Sequence, residues 1–265
     1  MKAEQLFHDI MSLGEGPVWD KQTMTLHWVD IIKGRIWQHQ FDTQKTVHRD
    51  LGQSVGMCAV AQSGGLVAAL VKSIVLLRDG QVLTLVDEVE LSLPDNRFND
   101  GKCDAAGRLL LGTMNTKGKT GQGALYSLEK YKGLRMLLDG ISISNGLGWS
   151  PDNQFLYYVD TPGGILWRFD YDLDRGELSN RIPLIDYSGE EGMFDGLCVD
   201  AQGCLWVAHW GGYQVSRWDP QTGKKLQSIA LPAPYVTSCC LGGPDLRTMF
   251  ITTAHNEDEK VRRDY

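Results

Sequence analysis

The chain has 265 residues, 42% of them hydrophobic, and a formal net charge of −7; that is enough apolar material for a sizeable core, and one domain over 1–265 is expected. The acidic balance argues against nucleic acid or an anionic membrane surface as partner, since both select for basic patches, and leaves a small molecule as the expected ligand. No run reaches membrane-spanning length, Met1 to Ile10 lacks a signal-peptide core, and Cys58, Cys103, Cys198, Cys204, Cys239 and Cys240 include no Cys-x-x-Cys pair, which together point to buried free thiols in a reducing cytoplasm.

In chain order, Gly14 to Asp20 opens a first unit, Thr25 to Asp30 alternates as a strand, and Arg35 to Phe41 returns after the turn at Lys33-Gly34. A second unit carries Leu66 to Leu70 within the apolar run Gly65 to Val71, then Ser73 to Leu77 and the hairpin turn Asp79-Gly80. The third begins at Arg97-Phe98-Asn99-Asp100-Gly101 and includes Asn115 to Gly123, whose Lys, Thr, Gly and Gln read as a surface loop. Ser127 to Leu138 has the composition of a helix but reads as a hairpin around Lys132-Gly133. The fourth unit holds Phe155 to Asp160 and Ile165 to Phe169, joined by Thr161-Pro162-Gly163-Gly164. A fifth runs from Gly192 through Phe194-Asp195-Gly196 to the strand Cys204 to Ala208, and a sixth from Ser238 through Gly242-Gly243-Pro244-Asp245 to Met249–Thr252.

These units repeat one grammar: a residue ahead of a tight turn, then a strand. The in-phase positions are Glu15, Gly56, Asn99, Asn145, Asp195 and Ser238, about 40 to 50 residues apart, the spacing of four-stranded propeller blades. The expected fold is therefore an all-β, six-bladed β-propeller, in which Glu15, Asn99, Asn145 and Asp195 converge on the central axis. Glutamate, asparagine and aspartate supply hard oxygen ligands, suited to Ca²⁺, Mg²⁺ or Mn²⁺ better than to structural zinc. Glu15, Asn145 and Asp195 form the expected metal set, and three protein ligands leave coordination positions open for water or substrate.

Leu13-Gly14-Glu15-Gly16-Pro17-Val18-Trp19, Arg97-Phe98-Asn99-Asp100-Gly101-Lys102, Gly112-Thr113-Met114, Ser144-Asn145-Gly146-Leu147 and Phe194-Asp195-Gly196 occur in order, and together they resemble the gluconolactonase/regucalcin family. The resemblance covers nearly the whole chain, the late Val236-Thr237-Ser238-Cys239 and Gly242-Gly243-Pro244-Asp245-Leu246 included. It implies a six-bladed propeller holding one divalent ion (Ca²⁺, Mg²⁺, Mn²⁺ or Zn²⁺) and hydrolysing sugar lactones. It also implies Glu15, Asn145 and Asp195 as ligands, Asp195 as base, and Arg97 and Asn99 as substrate contacts. A bound cation would polarise the lactone carbonyl and hold the Asp195 pKa low, while Asp195 accepts a proton from the attacking water.

Two departures stand out. An acidic residue expected after Gly112-Thr113-Met114 is replaced in Asn115-Thr116-Lys117, so Lys117 is expected to shape specificity and affinity for the acid product. The strand expected beyond Phe250 to Ala254 is replaced by the charged run Asn256 to Asp264, which leaves closure of the last blade open. Two other functions use the same ring: a non-catalytic calcium-binding or interaction propeller, and an esterase or phosphotriesterase.

Overall fold

The computed structural model describes residues 3–255, and every regular element in them is a strand except the 3-10 turn Thr161–Gly163. The strands follow one another as antiparallel meanders because each apolar or alternating run ends at a reversing turn. Asp79 and Gly80 both adopt positive φ in one such turn, the geometry that a tight hairpin with right-handed strand twist requires.

Blade one is β1 (Gly14–Asp20), β2 (Thr25–Asp30), β3 (Arg35–Gln40) and β4 (Lys45–Asp50); blade two is β5 (Met57–Val60), β6 (Leu66–Ala69), β7 (Ile74–Arg78) and β8 (Gln81–Val86). Blade three is β9 (Asn96–Cys103), β10 (Leu109–Asn115), β11 (Gly123–Glu129) and β12 (Gly133–Ile141). Blade four is β13 (Ser144–Trp149), β14 (Phe155–Asp160), β15 (Ile165–Asp172) and β16 (Glu177–Asp186). Blade five is β17 (Met193–Val199), β18 (Leu205–Trp210), β19 (Gln214–Asp219) and β20 (Lys224–Ala230), with the hairpin β21 (Tyr235–Gly242) and β22 (Thr248–Ala254) joined to it by the pair Trp210–Tyr235. The helix-like stretch Ser127 to Leu138 is the β11–β12 hairpin.

The fold is an all-β propeller, but the expectation of six blades is corrected: the described residues form five four-stranded blades. The sixth place is taken by the two-stranded hairpin carrying Ser238. After β22 only His255 remains among the described residues, and the run Asn256 to Asp264, with the question of last-blade closure it carries, lies outside them. The circle closes nonetheless, because the first strands touch in the order β1, β5, β9, β13, β17, β21 and back to β1. Thr237 Oγ1 donates to the Gly14 carbonyl at 2.6 Å, and the His255 amide donates to the Met11 carbonyl at 3.1 Å, laying the segment before β1 against the free edge of β22.

The core is divided among the blade interfaces. Val29, Val55 and Ala68 fill the interface of blades one and two, Met57, Phe98 and Leu111 that of two and three, and Leu110, Leu147 and Tyr158 that of three and four. Val159, Phe194 and Trp218 lie between blades four and five, and Trp206, Val215 and Cys239 between blade five and the hairpin. Trp28, Cys240 and Phe250, packed by Phe7, seal the hairpin to blade one. A buried side chain of this size is worth about 1.5–3 kcal/mol relative to exposure, so each interface is held chiefly by apolar burial. Outermost strands face solvent, as in β8 and β20.

Candidate functional site

The ring residues sit near the start of the first strands, and a repeated irregularity aims them. In β1 the register slips between Glu15 and Val18, in β9 between Phe98 and Gly101, in β13 between Ser144 and Leu147, and in β17 between Phe194 and Leu197; each stretch holds one residue more than its partner strand. The hairpin strand β21 has the same insertion between Val236 and Ser238. A β-bulge bends a strand and redirects a side chain that strict alternation would send into a blade face. Blade two lacks the bulge and carries Gly56 instead. A Cβ there would stand 2.5 Å from the Phe98 carbonyl oxygen and 2.6 Å from that of Asn99.

Glu15, Asn99, Asn145, Asp195 and Ser238 are all buried. Asn99 Nδ2 donates to the Ser144 carbonyl at 2.8 Å and to Asn145 Oδ1 at 3.0 Å, linking blades three and four. Asn145 Nδ2 donates to Thr161 Oγ1 at 2.6 Å, which fixes which end of its amide faces the ring. Arg97 Nη1 donates to Asn99 Oδ1 at 2.7 Å and to the Phe98 carbonyl at 2.8 Å. Burial, opposed by the charges of Glu15 and Asp195, lowers the Arg97 pKa to about 10, so it stays cationic at neutral pH.

Asp100 is a member of the site that the repeat phase passes over. Its charge acts on both Glu15 and Asp195. The available signal is an acid followed by glycine: the Gly16 amide donates to Glu15 Oε2 at 2.6 Å and the Gly101 amide to Asp100 Oδ1 at 2.7 Å, and the Gly196 amide bonds Asp195 in the same way. Lys102 also belongs here, its Nζ donating to the Leu197 carbonyl at 2.8 Å.

Three buried carboxylates therefore share one locus. Burial first, then Asp100, raises the Glu15 pKa to about 8; burial, then Glu15 and Asp100, pushes Asp195 well above the usual carboxylate range; burial raises Asp100. The low Asp195 pKa expected beside a cation is thus reversed where only protein groups act. Among the described residues no ion pair includes any of the three, while Arg97 and Lys102 spend hydrogen bonds on an amide and on carbonyls. Buried negative charge without a paired cation is costly, and the donors are hard oxygens, so the residue set fits a divalent cation of the Ca²⁺, Mg²⁺ or Mn²⁺ kind. No group of three or more His, Cys, Asp or Glu side chains that could hold a metal occurs among the described residues. A cation would have to take Glu15 and Asp195 with the Asn145 amide oxygen, whose second lone pair is free of the Asn99 bond.

Lys117 lies exposed on the turn after β10, its amide bonded to Asn115 Oδ1 at 3.0 Å. The neighbouring crevice is lined by Asn115, Gly118, Lys119, Thr120, Ser142, Ile143 and Pro162, so Lys119 and not Lys117 forms its wall. The buried contact between Ser216 and His209 is structural. His209 Nδ1 donates to the Glu191 carbonyl at 3.0 Å, so the neutral ring accepts from Ser216 Oγ at 2.6 Å, and Ser216 in turn accepts from Trp218 Nε1 at 2.6 Å. Both residues are fully buried.

A propeller whose bulged first strands project acids and amides onto its axis defines a class of axial polar-site proteins. The sequence family described as SMP-30/Gluconolactonase/LRE-like region matches residues 13–255, and the chain belongs to it. Regucalcin of Xenopus laevis is 38% identical over 272 residues, covering 99% of this chain and 91% of that protein. A Bacillus subtilis protein named "Putative sugar lactone lactonase YvrE" is 37% identical over 255 residues, covering 95% of this chain and 86% of its own. The crystal structure of a calcium-binding protein, regucalcin, from Agrobacterium tumefaciens superposes with a TM-score of 0.89 at 29% identity, covering 95% of this chain and 85% of that one.

Proposed function

We propose that this chain is a divalent-metal-dependent hydrolase that opens sugar lactones, aldonolactones such as glucono-, arabinono- or xylonolactone. The observation that carries this reading is that Glu15, Asn145 and Asp195 lie buried at the bulged starts of three first strands, where the charges of Glu15 and Asp100 act on Asp195 and no ion pair among the described residues neutralises the acids. The name of the Bacillus subtilis relative supports the substrate class.

A bound cation would supply Lewis-acid polarisation of the lactone carbonyl. Asp195 accepts a proton as the water oxygen bonds to the carbonyl carbon; the carbon–ring-oxygen bond then breaks, the ring oxygen takes up a proton, and an aldonate leaves. Arg97, held by Asn99, presents its remaining N–H groups to substrate oxygens. Asn99 already uses both amide hydrogens within the protein, so its part is to orient Arg97 and Asn145 and to offer its oxygen. Lys117, exposed on the turn after β10, tunes specificity and affinity for the acid product. The partner is this small molecule, and a reducing cytoplasm as its compartment is a reading that the free thiols support.

The Agrobacterium tumefaciens structure is titled a calcium-binding protein, which favours one second reading, a non-catalytic calcium-binding propeller on the same ring. A panel of aldonolactones, aryl esters and phosphotriesters, each assayed with Ca²⁺, Mg²⁺, Mn²⁺ and Zn²⁺ against chelator, separates the two. Lactone turnover lost on chelation and restored by metal is expected; calcium binding with no turnover of any member would replace the hydrolase reading.

A further inference from the structure

We infer that Lys102 is a positioning residue of the ring: its hydrogen bond to the Leu197 carbonyl, reaching past the first strand of blade four, fixes the bulged start of β17 and with it the Asp195 carboxylate. The inference rests on the reading of Asp195 as ligand and base, and adds a residue that acts through it.

The first strand β17 is paired on one edge only, with β18. Even that pairing is interrupted where the site lies: it stops at Phe194 opposite His209 and resumes at Leu197 opposite Val207, so Asp195 and Gly196 fall in an interval without register partners. A bulge redirects a side chain but gives up ladder bonds in doing so. A ligand carried on such an interval therefore needs other ties to hold it in place.

The strands that carry Glu15, Asn145 and Asp195 each have such a tie, and in each it is a backbone carbonyl near the ligand residue, bonded by a side chain from another first strand. The carbonyl of Gly14, next to Glu15, accepts from Thr237 Oγ1 of β21 at 2.6 Å. That of Ser144, next to Asn145, accepts from Asn99 Nδ2 of β9 at 2.8 Å. That of Leu197, two residues after Asp195, accepts from Lys102 Nζ of β9 at 2.8 Å. The first two ties join neighbouring first strands, and short side chains reach. The third skips a place, because β13 touches both β9 and β17 and stands between them, and the long stem of a lysine spans it.

The neighbours of β17 leave no room for a nearer side chain to do the same. A Cβ on Gly146 of β13 would stand 2.4 Å from the Asp195 carbonyl oxygen and 2.7 Å from the Leu197 nitrogen, and a Cβ on Gly196 would stand 2.1 Å from Ser238 Oγ of β21. The bulge is thus flanked closely by backbone on both sides, and Lys102 supplies a bond that the glycines cannot. The ammonium also carries charge: burial raises Asp100 and Glu15, and Lys102 pulls against both shifts. Charge and hydrogen bond are separable contributions, and the positioning belongs to the bond.

The test compares Lys102→Met with Lys102→Gln. Both remove the charge and leave an unbranched side chain of similar size, but Gln alone keeps a donor for the Leu197 carbonyl. The first readout needs neither metal nor turnover: amide hydrogen exchange of the full chain in chelator, followed by NMR. The Gly196 amide is bonded to the Asp195 carboxylate, so its protection reports whether that carboxylate is held. Exchange at Gly196 and Leu197 should be about five- to tenfold faster in Lys102→Met than in Lys102→Gln, the size of one net hydrogen bond lost with its acceptor left unpaired, while exchange in β2 stays equal. The second readout is lactone turnover by the metal-loaded proteins. There kcat should be about five- to tenfold lower in Lys102→Met than in Lys102→Gln with KM within about twofold, the split expected of a group that acts through Asp195.

Equal exchange in the two variants overturns the inference, as does exchange accelerated alike in β2 and β17, which would make Lys102 a group of general stability, or equal kcat in spite of a local difference in exchange. A local difference in exchange with no lactone turned over by the wild type upholds the hold on Asp195 while the lactonase reading falls. Turnover by the wild type with equal exchange in both variants leaves the lactonase reading standing and removes Lys102 from it.

Discussion

Replacing Asp195 by Asn should make the metal-free protein more stable while destroying activity, an opposition that only a site of uncompensated carboxylates produces. Asp195 is raised by burial and by the charges of Glu15 and Asp100, against a smaller opposing effect of Arg97, and among the described residues it enters no ion pair. Wherever Asp195 is ionised, an isosteric neutral amide removes the desolvation of one carboxylate and two repulsions. The gain is on the order of 1–3 kcal/mol, or roughly 2–6 °C in melting temperature for a domain of this size. With cation present the order reverses, because the wild type gains RT ln(1 + [L]/Kd) from binding and the variant has lost a charged ligand. Hydrolysis should fall by about 10²-fold or more, since the base and a ligand disappear together. The assay is thermal denaturation with chelator and with each metal in turn, beside pH-stat turnover of a lactone. A variant less stable than wild type in chelator, still stabilised by cation to the same degree, or still hydrolysing at the wild-type rate, would refute the reasoning.

Glu15 gives a pH dependence of the metal-free protein. Its pKa is about 8 in the folded chain against 4.5 for the ordinary group, so the native state binds the extra proton, and stability should fall as pH rises from 4.5 to 8, by up to about 5 kcal/mol; denaturant titrations at pH 5 and 8 check this, and saturating cation should flatten the slope. Gly56→Ala should cost roughly 1–3 kcal/mol, because its Cβ would lie 2.5 Å from the Phe98 carbonyl oxygen of the adjacent blade, measured by equilibrium unfolding. Thr161→Val leaves Asn145 Nδ2 without its 2.6 Å partner and should weaken cation binding about 10- to 100-fold with little change in melting temperature of the metal-free form, read by calorimetric titration. Phe194→Ala, fully buried between blades four and five, should destabilise by about 3–5 kcal/mol with or without metal.

What was legible in the sequence follows from which surfaces each strand meets. Phe155–Asp160 appears in the fold with the bounds read from its residues, because this strand is packed on both faces and its apolar run ends at Thr161-Pro162-Gly163-Gly164. The outer strands β4, β16 and β20 left no such mark. Their side chains face water along most of their length, so neither alternation nor an apolar run is demanded of them, and they are strands only because the neighbouring strand offers a hydrogen-bonding edge. Within the site, Glu15, Asn99, Asn145 and Asp195 were visible through their common phase, but Asp100 was not. A repeat phase assumes one ring residue per unit, whereas the β9 register slip between Phe98 and Gly101 holds both Asn99 and Asp100. The local shape of the Lys117 loop was not legible either: Asn115 Oδ1 gathers the amides of both Lys117 and Lys119, a curl that sequence spacing does not reveal.

The hairpin at the sixth place shows what the ring requires. A polar axis needs a first strand from each direction, and β21 supplies one, with its own bulge and Ser238 at the ring position. The outer strands of the five four-stranded blades lie farthest from the axis and bury little. The closing contacts are accordingly apolar and local: Trp19 stacks on Phe250 at 5.6 Å, Phe7 on Trp28 at 5.0 Å, and Met11 and Phe41 complete the same cluster. Gly196 allows β21 to approach β17 so closely that a Cβ would stand 2.1 Å from Ser238 Oγ, and Gly14 allows β22 to approach β1 in the same manner. Small residues at the ring and aromatic residues outside it thus divide the work, one setting the distance between first strands and the other supplying the free energy that holds them there. Stability and site geometry are separable in this arrangement, which is why the ring can keep three mutually repelling carboxylates on its axis without loss of the fold.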